Sequence, residues 1–232
     1  MDRLAKIIKF ISIPFGVILF VFVALRVSGL LNVYNIPTTS MYPTLPANTF
    51  IFTSKYIKPK RGEIYCFYHE LDNVRTVWVK RLAGVDGDTC EIKNGILYVN
   101  GIKELDNHKL AFPFLKKYNN IVTRDNIQDL YQKTNNGIYP YNYEYYVECI
   151  DKEIAKKEHL QPANNYADST MDQKALFQND SLKFTYGNYG PIIIPKGKYF
   201  MIGDNRYNAL DSRFWGFVDE QDMKEGVLFI LN

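Results

Sequence analysis

Hydrophobic and polar positions divide the chain into three kinds of text. The first is an uncharged run from Phe10 to Leu25, FISIPFGVILFVFVAL, bounded by Lys9 and Arg26. As a helix it spans roughly 24 Å at ~1.5 Å per residue, a little short of a ~30 Å hydrocarbon layer. Lys9 and Arg26 can snorkel, and apolar character resumes at Val27, Leu30 and Leu31, so we read one membrane-spanning helix from about Ile7 to Leu31. Pro14 and Gly16 are tolerable within such a helix. Arg3, Lys6 and Lys9 precede the run; the positive-inside rule puts the amino terminus in the cytoplasm and the rest of the chain outside. A cleaved secretory signal is the competing reading, but Leu25, Arg26 and Val27 stand where small residues are needed for cleavage.

Beyond Leu31 the period falls to two. Runs from Thr49 to Ser54, Glu63 to His69, Thr76 to Ala83, Thr89 to Ile92 and Ile96 to Val99 are rich in β-branched and aromatic residues and predict strands. Asn94-Gly95 between two of them predicts a two-residue hairpin, whose turn positions both require positive φ. Near the far end, Pro191 to Pro195, Lys198 to Ile202 and Gly226 to Leu231 are further strands. The third kind of text, from Ile102 to Lys183, loses this regularity. It carries Asn119-Asn120, Asn135-Asn136, Asn164-Asn165 and a tyrosine-rich run from Tyr139 to Tyr146, with a charged stretch from Asp151 to His159 that has weak helical character. The expected organisation is a mostly β fold: residues 1–31 form the cytoplasmic end and anchor, 32–101 and 184–232 two parts of one β core, and 102–183 an inserted cap.

Composition narrows the function classes. With 47% hydrophobic and 23% charged residues in 232, the chain is neither disordered, collagen-like nor a polytopic membrane protein. A net charge of +3 gives no footprint for nucleic acid. The three cysteines, Cys66, Cys90 and Cys149, form no dense disulfide framework and lack metal-ligand spacing, and no metal or other cofactor is expected. Eighteen tyrosines against two tryptophans suit strands and half-buried surfaces. Lys55, Lys58, Lys60 and Arg61 form a basic cluster that fits either anionic lipid headgroups or a solvated turn.

Three stretches carry chemistry. In the first, from Ile36 to Leu45, Pro37 and Pro43 bracket Thr38, Thr39 and Ser40; the backbone is expected to be stiff and extended. The second runs from Val77 to Gly84. Alternation puts Trp78, Lys80 and Leu82 on one face of a strand and Val77, Val79 and Arg81 on the other. An amine held beside two large apolar side chains loses hydration, and a depression of ~3 pK units makes it a usable base near neutrality. Such a lysine can activate a serine without histidine. His69, His108 and His159 lie in unrelated contexts and no G-x-S-x-G elbow occurs, which argues against a Ser-His-Asp enzyme. The third stretch, Gly203 to Gly216, concentrates turn-forming and hydrogen-bonding residues ahead of Phe214-Trp215.

Taken in this order behind one amino-terminal span, the three stretches resemble type I signal peptidases, membrane-anchored serine proteases that remove signal peptides from exported proteins. Ser40-Met41-Tyr42-Pro43-Thr44-Leu45 looks like the nucleophile box, Lys80-Arg81 with Gly84 and Gly87-Asp88 the general-base box, and Gly203 to Arg213 the box that closes the site. The resemblance covers about Leu31 to Gly101 and Tyr189 to Val218. It implies Ser40 as nucleophile, Lys80 as general base, and an oxyanion hole from the Ser40 backbone N–H and the Thr38 hydroxyl. It further implies Asp211 and Arg213 as a supporting ion pair, with Arg81 and Ser212 beside them. The implied partners are signal-peptide-bearing preproteins and membrane lipid, and the implied place is a cell membrane, single-pass, with the catalytic part on the outer side. Two positions depart from the pattern. Ala209 stands where a serine commonly orients the lysine, a role open to Ser212, Asn208 or a water, and Tyr207 stands where aspartate is frequent. Three alternatives stay open: a repressor-type self-cleaving protease, which has a similar dyad but needs a DNA-binding amino domain in place of this span; a peptidase specialised for one class of secreted substrate; and a membrane-tethered protein that binds exported chains without cutting them.

Overall fold

The structure is a computed structural model that describes residues 2–104, 110–118, 122–134, 138–141, 144–163, 184–185 and 187–231. The uncharged run is helical, in α1 (Asp2–Ser28), which Gly29 ends at φ 72°, where its N–H bonds the Arg26 carbonyl at 3.0 Å. Phe15, Ile18, Phe20 and Val27 are 66%, 67%, 74% and 83% exposed, so α1 turns apolar side chains outward. Among the described residues, no helix is long and apolar enough to cross a membrane; the expected spanning segment is met as far as a helix in the expected place.

Alternating text became strands. A seven-stranded sheet of order β1-β2-β15-β3-β4-β13-β14 joins β1 (Asn32–Ile36), β2 (Thr49–Ser54), β3 (Ile64–Leu71), β4 (Val74–Gly84), β13 (Lys198–Ile202), β14 (Val218–Asp219) and β15 (Met223–Leu231). A four-stranded sheet of order β12-β5-β6-β7 joins β5 (Thr89–Lys93), β6 (Ile96–Val99), β7 (Ile102–Lys103) and β12 (Tyr189–Ile193). Asn94 and Gly95 make the β5–β6 turn with φ 49° and 77°, as the dipeptide predicts. The mostly β expectation holds.

The irregular middle supplies a third sheet of order β11-β8-β10-β9, from β8 (Ala111–Lys117), β9 (Ile138–Tyr141), β10 (Glu144–Asp151) and β11 (Gln161–Pro162), with helices α2 (Arg124–Thr134) and α3 (Lys152–Lys157). The weak helical character between Asp151 and His159 is realised in α3. Asn119, Asn120, Asn135, Asn136, Asn164 and Asn165 lie outside the described residues. The core of this sheet, with Phe112, Phe114, Leu130 and Val147, also takes in Tyr207, and Tyr42 packs against it. The third sheet therefore rests on two of the chemistry-bearing stretches.

One local expectation is overturned. The stretch from Ile36 to Leu45 is coiled into turns, with Tyr42 N–H on Thr39 O and Leu45 N–H on Met41 O, each at 2.9 Å. Met41 and Leu45 are both fully buried in one cluster with Ile36, Ile51 and Cys66. Residues four apart reach one side together only when the chain winds, and that burial outweighs the extended preference set by the prolines.

Candidate active site

Ser40 sits in the turn that follows β1. Asn205 clamps it: the Asn205 N–H donates to Ser40 O and its side-chain amide to Thr39 O, both at 3.1 Å. The clamp needs Gly203, because a Cβ there would lie 2.5 Å from Ser40 O and 2.3 Å from the Ala209 methyl. The Thr38 hydroxyl lies 3.3 Å from Ser40 Oγ.

Lys80 enters from β4 and is 3% exposed. Its Nζ is 2.9 Å from Ser40 Oγ and 3.0 Å from Val79 O, and 5.3 Å from the centre of the Trp78 ring. Alternation along β4 falls as the sequence implies: Trp78 joins Leu82, Tyr65 and Phe67 in one cluster, while Val77 and Val79 pack in another. Burial pushes the Lys80 amine down from 10.5 to about 8; Asp211 and Asp204 oppose the shift and Arg213 adds to it.

Around this pair stands a buried polar frame. Arg81 donates to Asp204 through Nε at 2.7 Å and Nη2 at 2.5 Å, and through Nη1 to Gly62 O. The Thr44 hydroxyl donates to the same carboxylate at 2.5 Å, so Asp204 joins the turn after β1 that holds Ser40 to the strand that carries Lys80. Asp211 and Arg213, both buried, bond through Nε and Nη2 at 2.8 and 2.7 Å. Asp211 also accepts the Gly203 N–H at 2.9 Å and caps the short helix α4 (Ser212–Trp215). Arg213 donates to Arg206 O at 2.6 Å. Asp211 and Arg213 are thus brought together as an ion pair. Ser212 Oγ accepts the Met201 N–H at 2.9 Å; the second partner of Lys80 is the Val79 carbonyl, not a hydroxyl near residue 209.

Sequence reasoning missed the individual parts of Asp204, Asn205 and Arg206. Arg206 is fully buried and donates to Gly203 O at 3.2 Å, Gly95 O at 2.7 Å and Glu104 at 2.6 Å. The density of polar groups in the third stretch was the available signal. Most of their partners lie between 102 and 166 positions away, where no local pattern points.

Beside Ser40 opens a pocket of about 500 Å³, lined by Tyr34 to Met41, Thr76 to Lys80, Asn208 and Leu210. Two strand edges face it. β1 ends its sheet, and β4 pairs with β13 only from Arg81 onward. A half-buried hydroxyl beside a buried amine of lowered proton affinity, next to a groove with two strand edges, can make a nucleophile and hold an extended peptide.

Similarity to known proteins assigns the chain to a family. The family described as "Signal peptidase, peptidase S26" matches residues 7–231. A signal peptidase I of Buchnera aphidicola subsp. Baizongia pistaciae is 33% identical over 85% of this chain and 68% of that protein. One from Buchnera aphidicola subsp. Schizaphis graminum is 33% identical over 82% of this chain and 64% of the relative, and one from Aquifex aeolicus 28% identical over 85% and 74%. The chain thus spans about two thirds to three quarters of the length of these relatives. A solved signal peptidase I of Enterococcus faecalis V583 aligns over 75% of this chain at 22% identity and a TM-score of 0.36, too weak a likeness to bear on the fold. On the match over nearly its whole length, the chain belongs to the signal peptidase family, peptidase S26, a family of serine endopeptidases.

Proposed function

We propose that this chain removes signal peptides from exported proteins, with Ser40 as nucleophile and Lys80 as general base. The observation that carries the reading is the 2.9 Å approach of a buried, depressed lysine amine to the Ser40 hydroxyl. Neutral Lys80 takes the Ser40 proton as Oγ attacks the scissile carbonyl. The Ser40 N–H and the Thr38 hydroxyl receive the developing oxyanion, in a setting where one such donor contributes roughly 100- to 1000-fold in rate. The ammonium then protonates the departing amine and the acyl chain stays on Ser40 as an ester. Lys80, neutral again, deprotonates a water that hydrolyses the ester and restores the serine.

The substrate lies extended in the groove, its backbone bonded to the edges of β1 and β4 and its side chains in the pocket beside Ser40. Ala209 does not mark an inert protein on this reading, because the Val79 carbonyl holds the amine. The uncharged run from Phe10 to Leu25, with Arg3, Lys6 and Lys9 before it, favours a single-pass anchor with the amino terminus in the cytoplasm and the catalytic part outside, where preproteins emerge in contact with lipid.

The test is cleavage of a preprotein by the full chain reconstituted in liposomes. Ser40→Ala and Lys80→Ala each reduce the rate to background while leaving the thermal unfolding profile cooperative, and Lys80→Arg fails equally, since guanidinium does not deprotonate. Substantial cleavage by either alanine variant overturns the mechanism.

A further inference from the structure

The face of the large sheet that carries Lys80 is closed by three aromatic rings. On β4 it presents Trp78; on β3, Tyr65, Phe67 and His69 stand opposite Lys80, Trp78 and Thr76 respectively. Trp215 comes down on them from α4. The His69 ring meets Trp78 edge-on with centroids 5.2 Å apart and lies 4.2 Å from Trp215 at 33°; Trp78 and Trp215 are 5.0 Å apart. The three rings make a closed triangle, and one of its members has Lys80 Nζ 5.3 Å from its centre. Trp78 also forms a wall of the groove and is only partly buried; its strand holds it by one bond, from Nε1 to Thr76 Oγ1 at 2.9 Å, and the rings of His69 and Trp215 support the rest of the indole.

On the proposed Ser40–Lys80 reading, we infer that His69 is a positioning residue: wedged between Trp78 and Trp215, its imidazole holds the Trp78 indole against the Lys80 amine and keeps water from it. The wedge acts as a neutral ring. His69 Nε2 and Trp215 Nε1 are buried and have no hydrogen-bond partner among the described residues, which disfavours a charged imidazole there. Burial first, then Lys80, lowers the imidazole's proton affinity, against Asp222 and Glu70, which raise it. The charges acting on Lys80 itself are those of Asp211, Arg213 and Asp204, so removing the wedge changes its solvation without removing any of them.

The pH profile of kcat/KM for preprotein cleavage separates this from a merely structural role. His69→Ala admits water and moves the midpoint up by about one unit, which lowers the rate near pH 8 about fivefold and leaves little difference above about pH 10. Trp215→Leu, which opens the triangle from the other side, moves it the same way and keeps the inference testable if His69→Ala folds poorly. His69→Phe replaces one flat ring by another and brings the midpoint back. The amine is also read directly, by NMR of lysine-labelled Ser40→Ala protein with and without His69→Ala, the Lys80 signal being assigned by its loss in Lys80→Met. A Lys80 midpoint that does not move with His69→Ala, or a uniform loss of rate at every pH, overturns the inference while leaving the dyad intact. Loss of the dyad reading itself shows separately, as persistent cleavage by Ser40→Ala.

Discussion

Burying one lysine has a consequence beyond catalysis. Lys80 binds its proton less tightly when folded, with the amine at about 8, than in the unfolded chain, where it returns to an ordinary ~10.4. Between these limits the unfolded state holds more protons, so stability rises with pH. Below pH 8 both states are protonated and the folded chain bears the full cost of a buried ammonium; above the unfolded value neither is charged and the cost is gone. The swing is on the order of 3 kcal/mol. Urea unfolding between pH 7 and pH 11 is therefore expected to show wild type gaining stability relative to Lys80→Met across this window. Parallel curves would mean that the amine is not desolvated. The strand period alone places Lys80 beside Trp78 and Leu82, which is why its depression was readable in the sequence. Its distance to Ser40 was not, because that depends on where a turn forty residues earlier comes to rest.

At the scale of elements, agreement follows the strength of the local pattern. Thr49–Ser54, Ile96–Val99 and Lys198–Ile202 are strands over the expected residues, each dense in β-branched or aromatic side chains. β1 escaped notice because Asn32 and Asn35 dilute it, and β8 because Pro113 interrupts it and Lys116-Lys117 ends it. The turn after Ile36 was misread, since its shape comes from burying Met41 and Leu45 rather than from its prolines. What ties these elements together is ionic. The Arg81–Asp204 pair is 4% and 0% exposed at its side chains and links β4, the Ser40 turn through Thr44, and the third stretch. Asp204→Asn leaves a buried guanidinium without its counter-charge and is expected to destabilise by about 3–5 kcal/mol. Replacing both partners, Arg81→Met with Asp204→Leu, recovers most of that, because the stranded charge is the larger part of the cost. Urea midpoints of the two variants make the comparison. Equal losses would show that the pair does more than neutralise itself.

At the scale of the whole molecule, the third sheet meets the Ser40–Lys80 region at Tyr207, one of the two positions where the sequence departs from the pattern it resembles. Where aspartate is frequent, this chain has Tyr207, 5% exposed, its ring 6.1 Å from Phe112 within the cluster formed by Phe114, Leu130 and Val147. The aromatic side chain packs where β8 lies over the loop. Next to it, Ala111 N–H bonds Asp204 O at 3.1 Å and Ala111 bridges Asn205, the residue that clamps Ser40. Tyr207→Asp both removes the aromatic contact and buries a carboxylate among apolar rings, so it is expected to cost about 3 kcal/mol or more. The loss falls first on the docking of the third sheet, since the seven-stranded sheet keeps its own cores. Limited proteolysis should then cut between residues 110 and 163 well before the rest of the chain, with slower preprotein cleavage as the Asn205 clamp loosens. Tyr207→Phe, which keeps the ring, should resist protease nearly as wild type does. If Tyr207→Asp were as protease-resistant as wild type, the third sheet would be held by contacts other than this ring, and its link to the Ser40 turn would have to run through Tyr42 instead.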